Sequence, residues 1–380
     1  MTSSLDHFDS HQAATVTLTS KRSKLAALVL SLGAVCTLPT TFAQTAAPAA
    51  STAGTPRAPE AQYPLAPPPP YVTPETPQGS GRYPAIMEAD VGLVTHTIYR
   101  PANLQTAGME KLPIVAWGNG ACLNVGNRFR YFLSEIASHG YLAIAIGPIG
   151  PKEAEGSSLS DGLRGNPAPK SPAALLKGQL TPGGAIPADT TALQLIDAID
   201  WAIAENSRPG SKYQGKIDTT KIAVMGQSCG GLQAIDAAHD PRVTTLGVWN
   251  SGAFDNADRT WEIASARAPK ESLKTLHGSA IYITGAPTDV AFKNAEDDVS
   301  RIDGIPVFHA WRELTSHSGT YREPNGGAFG QVGAAWLQWQ LKGDQNASRM
   351  FVGADCGLCT KPEWHVNTKK INPVAVVKKP

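Results

Sequence analysis

The sequence predicts an α/β domain with a mostly parallel sheet that is covered by helices on both faces. Short apolar runs alternate along the chain with segments in which apolar residues recur every three or four positions. These are the patterns of fully buried strands and of amphipathic helices. With 380 residues, of which 42% are hydrophobic and 17% charged, the chain can form one large core. We therefore expect a single doubly wound domain with appendages at its ends.

The strands and helices are predicted from these runs in chain order. Before residue 150 they predict a half-buried strand at 91–99, a buried strand at 112–117, a helix at 127–138 and a strand at 141–146. Beyond residue 189 they predict a helix at 190–205, a strand at 221–225, a helix at 232–238, strands at 243–249, 280–284 and 305–310, and a helix at 329–341. Such regular alternation is typical of parallel strands joined by crossover helices.

Residues 1–43 predict an export signal. Three basic residues at 21–24 precede an apolar run at 25–38, and small residues at 41–43 fit a cleavage site. The run is too short and too interrupted for a good membrane span. A later start codon, a short signal anchor and lipidation of Cys36 are the alternatives. We expect a periplasmic or secreted protein that has no membrane attachment after the signal is removed.

The remaining chain divides into three parts by composition. Residues 44–81 are rich in Ala, Pro and Thr and predict an extended linker. The folded domain is expected at 82–366, followed by a basic tail at 367–380. Without residues 1–43 the chain has equal numbers of basic and acidic residues. This balance gives no electrostatic reason to bind nucleic acid or an anionic membrane, so a small molecule or a polymer is the expected partner.

A long insertion at 148–188 interrupts the alternation of strands and helices. It is rich in Gly, Pro, Ser and Lys, and it follows the end of a predicted parallel strand. Ligands of open α/β sheets bind at the carboxyl ends of the strands, and loops of this length are often functional. The insertion is therefore either one wall of a pocket or a solvated excursion.

A serine between glycines follows the buried strand at 221–225. Residues 226–230 read Gly-Gln-Ser-Cys-Gly and fit G-x-S-x-G, the turn that raises a serine hydroxyl above a sheet. The turn is tight, and a Cβ on either flank would collide with neighbouring elements. Ser228 is therefore the predicted nucleophile. The alternative is a glycine-rich turn without chemical function.

A serine nucleophile needs a base, and the base needs a third group that orients it. Asp289 lies in the turn after the strand at 280–284, and we assign it as the acid, with a turn-capping role as the alternative. The nearby Asp297 and Asp298 belong to a charged run that predicts a solvated helix face. His317 follows the last strand among small residues, and we assign it as the base. Structural roles are expected for the other histidines, which lie near strands and helix ends or in the tail.

The tetrahedral intermediate of acyl transfer needs two hydrogen-bond donors aimed at its oxyanion. One is expected to be the backbone N–H of Cys229, the residue after the nucleophile. The other is expected from the turn that follows the strand at 112–117. We assign it to Asn119, with Gly120 as the alternative.

Four cysteines remain after removal of the predicted signal, and an even number in an exported protein suggests two disulfides. Four cysteines allow three pairings. Cys356 and Cys359 could close locally, which would leave Cys122 with Cys229, next to the two predicted oxyanion donors. Buried free thiols at 122 and 229, and a zinc site at the C-x-x-C pair, are the alternatives.

Two aromatic residues follow the strand after the nucleophile helix. Trp249 and Phe254 lie where a strand end borders the predicted ligand crevice. They are candidates for a substrate pocket that packs on an acyl or aromatic group, and packing in the core is the alternative.

With these residues placed, the sequence resembles the α/β-hydrolase superfamily. Within it, the chain is similar to exported serine esterases of the dienelactone-hydrolase-like and polyester-hydrolase-like (PET hydrolase and chlorophyllase type) group. The resemblance covers residues 82–343 and depends on ASHGYLAIAIG (137–147), GQSCGG (226–231), GAPTD (285–289) and HSGTY (317–321). It implies hydrolysis of small or polymeric carboxylic esters through an acyl-enzyme, with the chain order Ser, Asp, His and without cofactor or metal.

The sequence also departs from that group. The turn at 118–122 reads GNGAC instead of a Pro-Gly-aromatic sequence, and a serine stands where dienelactone hydrolases have a nucleophilic cysteine. Two other functions are compatible with the same residues. One is a binding protein that keeps the fold without chemistry, and the other is an acyltransferase or peptidase that uses the same triad.

Overall fold

The computed structural model describes residues 76–152, 185–186, 189–254, 262–263 and 269–371, all of which belong to one compact unit. The predicted export signal and most of the predicted linker lie outside the described residues, as do most of the 148–188 insertion and the end of the basic tail. In the described ranges, no helix is long and apolar enough to cross a membrane.

Eleven strands are present in the described residues. They are β1 (Ala85–Glu88), β2 (His96–Pro101), β3 (Leu112–Gly118), β4 (Leu142–Ile146), β5 (Ala185–Ile186), β6 (Ile217–Gln227), β7 (Thr245–Trp249), β8 (Glu262–Ile263), β9 (Ser279–Thr284), β10 (Val307–Arg312) and β11 (Trp364–Lys369).

The same ranges contain six α-helices. They are α1 (Arg130–Ser138), α2 (Leu193–Ser207), α3 (Cys229–Ala237), α4 (Phe292–Arg301), α5 (Gly327–Lys342) and α6 (Gln345–Ser348). Short 3₁₀ helices occur at Gly120–Cys122, Lys270–Thr275 and Pro324–Gly326.

Nine of the strands form one sheet in the order β1-β2-β4-β3-β6-β7-β9-β10-β11. The six strands from β4 to β10 in this order are parallel to their neighbours, whereas β1, β2 and β11 are antiparallel at the edges. The predicted α/β domain with a mostly parallel sheet is therefore confirmed. The two-residue strands β5 and β8 pair with each other, apart from the main sheet.

Helices cover both faces of the sheet because the strands are apolar on both faces. In β3, Ile114 and Ala116 belong to one buried cluster, which includes apolar residues of α2, α3 and α4. The alternating Val115 and Trp117 belong to a second cluster, which includes apolar residues of α1 and α5. Side chains alternate across a strand, so one fully apolar run supplies two cores.

Two of the antiparallel strands, β2 and β11, differ from the sequence prediction. The early strand begins at His96 and not at residue 91, because Val91 and Val94, which are 97% and 68% exposed, lie in the turn before it. The predicted boundary between domain and tail at 366/367 is wrong, because β11 crosses it and pairs with β10 from Val307 to Arg312. The strand was missed because its sequence, WHVNTK, contains no continuous apolar run.

The domain also begins earlier than the predicted residue 82. The backbone N–H and the hydroxyl of Ser80 both donate to the carboxylate of Glu135 in α1, each at 2.6 Å. The N–H of Ala85 donates to the carbonyl of Gln78 at 2.8 Å. These bonds attach the end of the predicted linker to the first helix and the first strand.

Candidate active site

The predicted nucleophile lies on a strained turn between β6 and α3. Ser228 has φ 53° and ψ −120°, a conformation that L-residues rarely adopt. A Cβ at Gly226 would contact the backbone of Gly230, and a Cβ at Gly230 would contact the backbone of Gly118. Glycine is therefore required at both flanks, as the G-x-S-x-G pattern predicts.

The structure brings Ser228, His317 and Asp289 together. The Oγ of Ser228 is hydrogen-bonded to Nε2 of His317 at 2.9 Å, and Nδ1 of His317 is hydrogen-bonded to Oδ1 of Asp289 at 2.6 Å. The side chain of His317 is 25% exposed, whereas that of Asp289 is fully buried. The three side chains therefore form a continuous chain of hydrogen bonds from the protein interior to the surface.

Asp289 accepts hydrogen bonds on both carboxylate oxygens. Oδ1 accepts from His317 and from the N–H of Ala291 (3.0 Å), and Oδ2 accepts from the N–H of Gly285 (3.0 Å) and from Nδ2 of Asn250 (2.7 Å). Burial by itself would raise the pKa of this carboxyl, but the bonds from His317, Ala291 and Asn250 hold the pKa below its ordinary value. Asp289 is thus kept ionised in the interior.

The loops after β9 and β10, which carry Asp289 and His317, are bonded directly to each other. The N–H of Ala286 donates to the carbonyl of Thr315 at 2.8 Å. On the other side, Nε2 of Gln227 donates to the carbonyl of His317 at 3.0 Å. The residue before the nucleophile therefore fixes the loop that carries the base.

The two other aspartates near Asp289 do not reach this site. Asp298 was predicted on a solvated helix face, and that prediction is wrong: its side chain is fully buried and forms an ion pair with Lys270 at 2.8 Å. Burial raises the pKa of Asp298 to about 6, against the opposing effect of Lys270. Asp297, which also pairs with Lys270, is 39% exposed. A charged run on a helix does not show in the sequence which of its members faces a buried lysine.

The predicted oxyanion donors lie on the nucleophile's side of the site. Cys229 is the first residue of α3, and its N–H therefore has no intrahelical acceptor. Asn119 is fully buried, and its side-chain amide donates to the carbonyls of Leu123 (3.1 Å), Val125 (3.1 Å) and Ile146 (2.7 Å). The side chain thus fixes the shape of the loop, a role that the sequence did not indicate. The backbone N–H of Asn119, with Gly120 as the alternative, stays the predicted second donor.

Both predicted cysteine pairs are joined as disulfides, Cys122 with Cys229 and Cys356 with Cys359. The first pair has a Cα–Cα distance of 5.2 Å and connects the turn after β3 to the first residue of α3. It therefore crosslinks the two loops that carry the predicted oxyanion donors. The structure therefore contradicts the two alternatives, which were free thiols at 122 and 229 and a zinc site at the C-x-x-C pair.

We expect the two disulfides to differ in their effect on stability. Cys122–Cys229 spans 107 residues and Cys356–Cys359 spans 3. Loss of a crosslink destabilises in proportion to the logarithm of loop length, which gives about 4–5 kcal/mol for the long loop and about 2 kcal/mol for the short one. Urea unfolding of the two double Cys→Ser variants measures the loss in free energy of unfolding for each disulfide, and the short-loop variant is the matched control. Equal losses would contradict the expectation.

The two predicted pocket residues have different positions. Trp249 is fully buried, with ring centroids 5.2 Å from Phe132 and 5.9 Å from Phe329. The prediction that it lines a substrate pocket is therefore corrected: its side chain belongs to the core on the α1 and α5 face, because the last residue of β7 points to that face. Phe254 is half-buried at the last described residue before a gap, and its pocket role stays a prediction.

Sequence reasoning missed two residues beside Asp289. Asn250 follows β7 directly and donates to Asp289, and the hydroxyl of Tyr321 donates to Oδ1 of Asn250 at 2.7 Å. The only signals were that Asn250 stands at the end of a parallel strand and that Tyr321 ends the HSGTY sequence. Within the described ranges, no group of three or more His, Cys, Asp or Glu side chains is placed to hold a metal ion.

Comparison with known proteins gives no assignment. No protein-family model matches the chain, and no curated protein matches it significantly.

Proposed function

We propose that the protein is a serine carboxylic-ester hydrolase of the α/β-hydrolase fold, exported to the periplasm or the exterior. The observation that carries the proposal is the hydrogen-bond chain from Asp289 through His317 to Ser228. An Asp–His–Ser chain with these contacts is the arrangement that activates a serine hydroxyl. The order of the three residues along the sequence, and the sheet edge at which they meet, agree with that fold.

In the proposed reaction, Oγ of Ser228 attacks the carbonyl carbon of the ester while Nε2 of His317 accepts its proton. The oxyanion that forms is held by backbone N–H groups, predicted to be those of Cys229 and Asn119. When the carbon–oxygen bond to the alcohol breaks, His317 returns the proton to the leaving oxygen. Water then attacks the acyl-serine by the same route and releases the acid. Asp289 orients His317 and stabilises its protonated form.

The Cys122–Cys229 crosslink supports both parts of the proposal. Disulfides persist in oxidising compartments such as the periplasm and the exterior. The crosslink also fixes the separation of the two loops that would hold the oxyanion. Because donors that are already in place need no reorganisation during reaction, such a constraint favours catalysis.

Covalent labelling with a fluorophosphonate tests the proposal, because this reagent reacts with activated serine hydroxyls. We expect stoichiometric labelling that peptide mapping places on Ser228, together with hydrolysis of at least one member of a panel of esters graded in acyl length and aromaticity. A binding protein without chemistry would not label. Labelling with transfer to added alcohols, or with cleavage of amides in preference to esters, would instead identify an acyltransferase or a peptidase.

A further inference from the structure

We propose that Asn250 and Tyr321 form a buried positioning relay that holds the carboxylate of Asp289 ionised and turned toward His317. The inference deepens the proposed function and rests on it, because it concerns the acid of the same triad. Neither residue touches the reacting atoms; each acts through Asp289.

The side chain of Asn250 is fully buried, and its amide is bonded at both ends. Nδ2 donates to Oδ2 of Asp289 at 2.7 Å and to the carbonyl of Ser316 at 3.3 Å, and Oδ1 accepts from the hydroxyl of Tyr321 at 2.7 Å. The amide thus contacts the acid and the residue before the base. It is the only side chain bonded to Oδ2 of Asp289 among the residues that the structure describes.

Tyr321 determines which end of the amide faces Asp289. An amide oxygen can only accept, so the phenol must donate to it, and the NH₂ group is then directed at the carboxylate. If the amide were turned round, its oxygen would face a carboxylate oxygen in the interior without a shared proton. Burial, together with the negative charge of Asp289, raises the pKa of the Tyr321 phenol, so the hydroxyl retains the proton that it donates.

The ring of Tyr321 is held in place by aromatic neighbours. Its centroid lies 5.0 Å from that of Phe129, 5.6 Å from Phe132 and 5.4 Å from Phe329, each in an edge-to-face arrangement. These contacts fix the ring independently of the hydroxyl. Removal of the oxygen alone is therefore expected to leave the packing in place.

The residues on either side of Asn250 extend the relay to the nucleophile. The carbonyl of Trp249 accepts from the N–H of Ser228 at 2.9 Å, and the hydroxyl of Ser251 donates to the carbonyl of Ser228 at 2.7 Å. Residues 249–251 are therefore hydrogen-bonded to both the nucleophile and the acid. Asn250 itself has φ 42°, and its N–H donates to the carbonyl of Ile283 in β9 at 2.7 Å, which holds this uncommon conformation.

Tyr321→Phe tests the relay, with Tyr141→Phe as the matched control. Tyr141 is buried in the same hydrophobic cluster on that face of the sheet, and its hydroxyl has no hydrogen-bond partner in the described part of the chain. For Tyr321→Phe we expect kcat to fall about 3- to 10-fold, the range that loss of one hydrogen bond of this kind gives, while KM stays within about twofold. The acidic limb of the pH profile of kcat should move to higher pH, because loss of the phenol weakens the hydrogen bonding that holds the pKa of Asp289 below its ordinary value.

Two further variants separate positioning from general destabilisation. Asn250→Asp places a second carboxylate against Asp289 and should move the acidic limb further than Tyr321→Phe does. In an Asn250→Ala background, Tyr321→Phe should have little additional effect on kcat, because the phenol acts through the amide. Additive effects, or an unchanged acidic limb in Tyr321→Phe, would overturn the relay.

A measurement that does not depend on turnover distinguishes failure of the relay from failure of the proposed function. The His317 Nδ1–H proton bonded to Asp289 is observable by proton NMR as a low-field resonance. We expect this resonance to shift or broaden in Tyr321→Phe and to stay unchanged in Tyr141→Phe. An inert protein in which the resonance moves would retain the relay and refute the hydrolase. An active protein in which neither the resonance nor the pH profile moves would support the hydrolase and refute the relay.

Discussion

Replacement of Ser228 by alanine is expected to lower kcat for a short-chain aryl ester by about 10⁴- to 10⁶-fold, the range seen when a serine nucleophile is removed from an intact triad. The hydroxyl that forms the acyl-enzyme is lost, and water must then attack the ester directly. KM should change little, because the Cβ and the backbone of the turn remain. The measurement is steady-state hydrolysis with fluorophosphonate labelling of the same samples.

The control for this variant is Ser318→Ala. Ser318 lies one residue after His317 and is half-buried, and within the described residues it forms a hydrogen bond only through its backbone N–H, to the hydroxyl of Ser316 at 3.3 Å. Its replacement should leave kcat within about threefold, as for substitutions outside the reacting groups. Hydrolysis by Ser228→Ala at the rate of the unsubstituted protein would refute Ser228 as the nucleophile.

Replacement of Asp289 by asparagine is expected to lower kcat by about 10³- to 10⁴-fold. All four neighbours of the carboxylate are donors, so an amide NH₂ at 289 faces a donor in either orientation. Directed at His317, it leaves Nδ1 as an acceptor, and the proton on Nε2 then points at Ser228. A base in that tautomer cannot accept the serine proton.

Asp298→Asn is the matched control for the loss of a buried carboxylate. Asp298 is also fully buried, but it is bonded to Lys270 and to the N–H of Ala253 and not to the triad. This variant should lose stability, because the buried Lys270 loses one of its two ionised partners and keeps only Asp297. The kcat of the folded protein should stay within a few-fold of that of the unsubstituted protein. Thermal unfolding recorded beside kcat separates the two effects. An equal loss of kcat in both variants would refute the specific role of Asp289.

The parallel part of the sheet could be predicted because each of its strands contains a short, mostly apolar run. Leu112–Gly118 and Thr245–Trp249 are buried throughout, and such runs are visible without any tertiary information. The edge strands Ala85–Glu88 and Trp364–Lys369 were not predicted, because each is only partly buried and its sequence has no such run. Their pairing depends on neighbours that the local pattern does not reveal.

The candidate site was predictable where a residue's place on the fold determines its position. Ser228, Asp289 and His317 each follow a parallel strand, and parallel strands end at one edge of the sheet. Asn250 also follows a parallel strand, β7, but an amide takes no part in the proton transfers of a triad, so its position alone did not identify it. Tyr321 does not follow a strand directly, and its partner Asn250 lies 71 positions away in the sequence. Trp249 was misplaced because a strand end predicts the edge of the sheet but not which face a side chain takes.

The backbone of Ser228 has a thermodynamic consequence of its own. A non-glycine residue with φ 53° and ψ −120° is held in a conformation that costs on the order of 1–3 kcal/mol. Glycine at this position would relax the turn and would remove the hydrogen bond between Oγ of Ser228 and His317. The strained backbone at the proposed nucleophile thus lowers the stability of the whole protein, which is an instance of the trade-off between stability and activity. Selection for thermal stability alone would favour loss of that hydroxyl, so the serine is a residue that stability does not explain.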